Sequence, residues 1–289
     1  MRTQLPRLGR DLGVIIGFAW IAAVGTGVLG DLMPGYDAHA YWLTRSGDLY
    51  GQAHLGTKDT YLYSPAFAQL ISPLSALPWT AFITVWTALL VGTYIWLTGP
   101  LAVPLLLLWP IPFELHEANI HILLAGMLVV SERWPAAWAF GLVTKVTPGI
   151  GLVWYAVRRE WRPLAVALAA TAGIAAVSFT LAPDGWRTWV GLLTQSAAVS
   201  PSTPSLPVPL LPRLVAAGLL VAWGARADRR WVLPVAVTLA LPVVWVNSLA
   251  VLVALVPAAR RRFGLEVRSR PVPSAPALAT AGTGLPRAS

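Results

Sequence analysis

The stretch WTAFITVWTALLVGTYIWLT, residues 79–98, has no charged residue and no proline in 20 positions. As a helix it is about 30 Å long, the thickness of a bilayer's hydrocarbon core. It reads as a membrane span closed by Gly99–Pro100, and similar segments recur on both sides of it. The 289 residues are 56% hydrophobic and 11% charged, with a mean hydropathy of +0.65. Soluble domains carry about 25% charged residues. The sequence therefore predicts an integral membrane protein, all-α, a polytopic helical bundle. At about 20 apolar residues per crossing, residues 12–258 leave room for about eight to ten hydrophobic segments, several of them short.

Composition also removes several function classes. There is no cysteine, hence no disulfide, thiolate metal site or cysteine nucleophile. There is no Walker P-loop and no HExxH box. The net charge of +9 sits mostly in Arg clusters beside apolar runs, which orient a chain and meet anionic membrane lipids; nucleic acid is not expected as a partner. Most of the 15 tryptophans lie near segment ends, where they serve as interfacial anchors.

Toward the N-terminus, Leu12–Met33 is a first span, and Arg2, Arg7 and Arg10 place its start in the cytoplasm. A polar island follows, Gly35-Tyr36-Asp37-Ala38-His39-Ala40-Tyr41-Trp42, with a carboxylate, an imidazole and three aromatic rings. From there to Tyr61, aromatic and charged residues alternate, which predicts a long external loop bearing helices that lie on the membrane surface. The run 62–77 is short for a crossing, and Pro73 interrupts it.

Toward the C-terminus, the short run 101–113 leads to a second island, Glu114, His116, Glu117, Asn119 and His121. Pro135–Val157 holds Lys145 near its middle and Pro148 three residues later, which predicts two half-helices. Arg158, Arg159 and Arg162 mark a cytoplasmic turn. If Arg133 is cytoplasmic too, this segment enters and returns with Lys145 near its apex, and the second island faces outward. That topology needs one short run, 62–77 or else 101–113, to be re-entrant or to lie on the surface. Trp231–Ala259 is too long for one span and is broken at Leu241–Pro242, so it is predicted as two short helices with their apex at Trp245-Val246-Asn247. Residues 1–263 form the polytopic domain, and the Pro/Ala/Ser-rich 264–289 is predicted to be a disordered cytoplasmic tail.

In this topology Asp37, His39, Glu117, Asn119, His121, Lys145 and Asn247 lie at one membrane face. Each has an ordinary reading: interfacial hydrogen bonding for the histidines, a solvated helix-end acid for Glu117, snorkelling for Lys145. Taken together they describe a site. An intramembrane cation suits a lipid-linked phosphate whose charge must be held as it leaves. A carboxylate at the water boundary suits a general base acting on an acceptor hydroxyl. The chemistry indicated is sugar transfer from a lipid phosphate to an alcohol. A transporter or flippase of a lipid-linked or anionic solute, or a non-catalytic scaffold of envelope assembly, also fits an intramembrane lysine and broken helices. No internal repeat is found, and that favours the enzyme.

Five elements in order resemble glycosyltransferase family 87, bacterial polytopic mannosyltransferases of the GT-C fold. They are Asp37 with Tyr41-Trp42; Tyr61-Leu62-Tyr63-Ser64-Pro65 leading to Pro73-Leu74; Glu117-Ala118-Asn119, where the family usually has Gly-Gln-x-Asn; Lys145-Val146-Thr147-Pro148, a Lys-x-x-Pro element; and Pro242-Val243-Val244-Trp245-Val246-Asn247 for Pro-x-x-Trp-x-His. The resemblance implies an inverting transferase in the bacterial inner membrane, with both termini cytoplasmic. Its donor would be a polyprenyl-phosphate sugar, often mannose, and its acceptor a lipid or envelope glycan on the external face, with no cofactor or metal. It also implies Asp37 as general base, Lys145, His121, Asn119 and Asn247 around the donor phosphate, and Glu117, His39, Tyr41 and Tyr63 as substrate contacts. Glu117 stands for the usual Gln and Asn247 for the usual His. That His is associated with the donor phosphate, so the resemblance leaves His121 or Lys145 to take over its part, or activity reduced.

Overall fold

The computed structural model describes residues 34–51, 59–196 and 206–263. The first span and the C-terminal tail read from the sequence lie outside these residues. All regular structure among them is helical. In chain order the α-helices are α1 (Tyr36–Trp42), α2 (Pro65–Ser75), α3 (Trp79–Thr98), α4 (Ala102–Leu105), α5 (Pro110–Glu117), α6 (His121–Ser131), α7 (Trp138–Lys145), α8 (Val153–Val157), α9 (Trp161–Leu181), α10 (Pro183–Ser196), α11 (Leu210–Arg226), α12 (Val232–Ala240) and α13 (Val256–Phe263). Two 3-10 stretches complete broken segments, Thr147–Leu152 between α7 and α8 and Val246–Leu255 before α13.

Two helical stretches are long and apolar enough to cross a membrane, Trp79–Leu105 and Trp161–Leu181. Their surfaces fit that environment. Helix α3 buries a narrow seam, Phe82, Trp86, Leu90, Tyr94 and Leu97, and turns Val85, Leu89, Ile95 and Trp96 outward. Helix α9 buries only Ala167 and Ser178 and exposes Ile174, Val177, Phe179 and Leu181. Apolar side chains facing away from the protein need a hydrocarbon solvent. A third crossing is reached if α5 and α6, bent by 108° at their junction, count as one. The described residues thus hold two or three spans where sequence length alone leaves room for about eight to ten. Much of the remaining apolar sequence forms short or interrupted helices, because proline and positive-φ residues divide it.

These breaks place the polar residues. Ala118, between α5 and α6, is left-handed (φ 53°, ψ 43°), and Trp86 Nε1 donates to its carbonyl at 2.8 Å. Lys145 ends α7, and Val146 after it has φ 54° and ψ −58°. Helix α12 ends at Ala240, and an irregular link, extended at Trp245, leads into the 3-10 stretch. Arg213 of α11, only 3% exposed, holds that break: its guanidinium donates to the carbonyls of Val208, Leu239, Leu241 and Pro242. Within α2, Pro73 cannot donate to the Gln69 carbonyl four residues back; the Ser72 hydroxyl does so instead, at 2.9 Å.

The core runs between the two bent segments. The 3-10 stretch Val246–Leu255 packs against both α5 and α6, and α12 lies against α11 and Thr147–Leu152. Trp86, Trp138, Trp154, Phe67, Ile120 and Leu124 are fully buried there.

Candidate active site

Helix α1 begins at Gly35, whose φ of 79° is left-handed and whose N–H donates to the His116 carbonyl at 2.7 Å. That bond ties the start of α1 to α5. It brings the Asp37 carboxylate to the α5–α6 bend, where Asn119 Nδ2 donates to Asp37 Oδ2 at 2.6 Å. The amide of Asn119 has one possible orientation. Its Oδ1 lies 2.6 Å from the Ile120 N–H, a group that can only donate. The Tyr41 and Tyr63 hydroxyls approach the same oxygen at 3.1 and 3.2 Å and each other at 2.8 Å. Asp37 Oδ1 receives no hydrogen bond from the described residues.

Burial pushes the Asp37 carboxyl up to about 6. The Asn119 hydrogen bond opposes that rise, the Glu117 charge adds to it, and the Lys145 charge lowers it. Tyr41 is pushed well above the ordinary phenol range, chiefly by burial, and stays neutral.

From Tyr63 the contacts continue inward. Lys145 Nζ lies 5.3 Å from the centre of the Tyr63 ring, within cation–π range, and 3.4 Å from His121 Nε2. His121 Nδ1 lies 2.8 Å from Glu114 Oε2, and the His121 N–H donates to Glu114 Oε1 at 2.6 Å. Asn247 Nδ2 donates to Glu114 Oε2 at 3.1 Å. A carboxylate, two amides, two phenols, an ammonium and an imidazole–carboxylate pair thus form one connected set, drawn from α1, α2's approach, both arms of the α5–α6 bend, the end of α7 and the 3-10 stretch.

The structure brings together Asp37, Asn119, Tyr41, Tyr63, Lys145, His121 and Asn247. His39 lies outside the set: its Nδ1 is 2.6 Å from Asp59 Oδ1, and its ring packs near Trp42 and Trp79. Glu117, 6% exposed, pairs with His116 at 3.1 Å and reaches Asp37 through its charge only. Glu114, a member of the second island, is the residue that sequence reasoning left off the site. Its position three residues before Glu117, on the same helical face, was the available signal. Among the described residues, no group of three or more His, Asp or Glu side chains is gathered as metal ligands would be.

Two openings lie around residues 43–49, which follow α1. One of about 250 Å³ is lined by Ala40, Thr44, Ser46, Asp48, Asp59 and Tyr61. A second of about 420 Å³ lies between Thr44–Leu49 and α2. Asp37 lines neither of them.

Comparison with known proteins gives one match at the family level: the model of Glycosyltransferase family 87 covers residues 61–281. No curated protein and no solved structure matches the chain.

Proposed function

Because the chain belongs to glycosyltransferase family 87, we propose that it is a polytopic inner-membrane enzyme transferring a sugar, mannose in the first instance, from a polyprenyl-phosphate donor to a hydroxyl of a lipid or envelope glycan at the external face. The observation that carries this reading is the unbroken line of contacts from Asp37 through Asn119 and Tyr63 to Lys145. It joins a carboxylate able to take a proton to a cation able to hold a leaving phosphate.

The steps follow from that polarity. Asp37 accepts the proton of the acceptor hydroxyl on Oδ1, which no described residue hydrogen-bonds, while Asn119 holds Oδ2. The freed oxygen attacks the anomeric carbon from the face opposite the phosphate, so configuration inverts. The bond from carbon to phosphate oxygen breaks, and its electron pair leaves with the polyprenyl phosphate. Lys145, supported by His121 and Asn247, stabilises that charge. The buried phenols of Tyr41 and Tyr63 approach the Asn119 carbonyl, and Tyr63 bridges it to Lys145. Glu117 acts on the base through its charge.

The test uses purified protein in detergent with radiolabelled polyprenyl-phosphate mannose and an envelope lipid fraction. Transfer of label to the acceptor supports the proposal, and its absence with every polyprenyl-phosphate sugar tried overturns it. Detergent solution has no sealed compartment, so a transporter gives no signal here.

A further inference from the structure

Glu114 touches neither end of the proposed reaction, yet its carboxyl group meets three nitrogen groups of the site. It is fully buried. Its Oε1 accepts from the His121 N–H at 2.6 Å and its Oε2 from Asn247 Nδ2 at 3.1 Å, and His121 Nδ1 lies 2.8 Å from Oε2. Taken as a carboxylate, which only accepts, Glu114 receives all three of these nitrogens.

That arrangement fixes the proton on His121. Facing a carboxylate, Nδ1 carries hydrogen. Nε2 faces Lys145 Nζ and Ser248 Oγ, each at 3.4 Å. An ammonium can only donate. Ser248 Oγ accepts from the Trp245 N–H at 3.1 Å and is able to turn its own proton to Nε2. His121 is therefore the neutral Nδ1–H tautomer, and its Nε2 lone pair is what holds the Lys145 ammonium on the His121 side.

We propose that Glu114 is a positioning residue for the donor phosphate: it locks His121 in the tautomer that aims Lys145. The proposal rests on the sugar-transfer reading above. In Glu114→Gln the carbonyl keeps the His121 N–H, and the new NH2 group points at Nδ1. The imidazole then carries its proton on Nε2, against the ammonium, and Lys145 loses its seat.

The experiment measures binding of decaprenyl phosphate in detergent to wild type, Glu114→Gln, Lys145→Ala and the double variant, with 15N spectra of histidine-labelled protein. The wild type should show His121, assigned by its loss in a His121 variant, as the Nδ1–H tautomer, and Glu114→Gln should show it flipped. Glu114→Gln should weaken binding about tenfold, the scale of one charge-assisted hydrogen bond. The double variant should bind no worse than Lys145→Ala alone, because Glu114 acts through Lys145. Losses that multiply in the double variant, an Nε2–H tautomer in the wild type, or wild-type affinity in Glu114→Gln overturn the proposal.

Should Glu114→Gln not fold, His121→Gln serves instead. Its amide can donate to Glu114 and accept from Lys145, so it should lose less binding than His121→Leu; equal losses overturn the proposal. Wild-type protein that transfers no sugar defeats the functional reading. Wild-type protein that transfers sugar while Glu114→Gln matches its affinity defeats this inference alone.

Discussion

Asn119 holds Asp37 by an N–H group that cannot be exchanged for its carbonyl. The Ile120 N–H, 2.6 Å from Oδ1, fixes the amide with Nδ2 toward Asp37 Oδ2, also at 2.6 Å. Asn119→Asp replaces that donor with a second carboxylate at contact distance. Two like charges so placed share a proton, and one of them titrates at least about one unit higher. The acidic limb of the transfer-rate profile should move alkaline by that amount, read as kcat/KM against pH. An unmoved limb would remove Asn119 from the control of Asp37.

Asp37 itself should set that limb. Its carboxyl is pushed up to about 6 by burial, and a general base works only when ionised, so wild-type kcat/KM should rise tenfold per unit of pH below 6 and level off above it. Asp37→Asn should cost about 10²- to 10⁴-fold at pH 8. Stability runs the other way. A carboxyl raised in the folded state favours folding below its ordinary value near 3.8 and loses that contribution as pH rises through 6. The inactive Asp37→Asn should therefore melt at a higher temperature than wild type at pH 8, with the gap closing toward pH 4.

Gly35 sets where α1 starts. A Cβ there would lie 2.6 Å from Ile83 Cδ1, on a backbone with φ of 79°. Gly35→Ala should cost about 1–2 kcal/mol from the left-handed backbone alone and should lower transfer by shifting α1. Adding Ile83→Val relieves the clash and not the backbone term, so activity should recover only in part, measured beside thermal stability.

Arg213 closes the break before Asn247 with four carbonyl acceptors. Arg213→Met leaves buried carbonyls unpaired, at about 1–3 kcal/mol each where no water reaches them. Limited proteolysis should then cut near residues 241–245 at temperatures where wild type resists. Arg213→Lys should recover only part of this, since an ammonium lacks the planar fork.

The breaks were the most legible part of the architecture. Pro148 after Lys145 and Pro242 after Leu241 announced interrupted segments, and the structure has α7 ending at Lys145 and α12 stopping before Leu241. Local chemistry suffices for that, because proline removes a donor wherever it stands. The number of crossings was not legible. Apolar content says that a segment avoids water, but not whether it spans, and Val246–Leu255 winds as a 3-10 stretch where a short α-helix was expected. The Asp37–Asn119 contact joins residues 82 apart and the Glu114–Asn247 contact residues 133 apart. Such pairs are made by packing and leave no local trace. That is why His39, a neighbour of Asp37 in sequence, read as part of the site although it faces Asp59, and why Glu114 was passed over.

Val146 carries a further consequence. A β-branched side chain at φ 54° and ψ −58° sits in a region that costs about 1–3 kcal/mol for any residue but glycine. The surrounding helices must supply that energy, and in return the preceding ammonium has very little room to wander. Val146→Gly should raise the melting temperature while letting Lys145 sample many directions, a sturdier protein with a slower reaction. In this joint accuracy of aim and ease of folding pull apart, and valine favours aim.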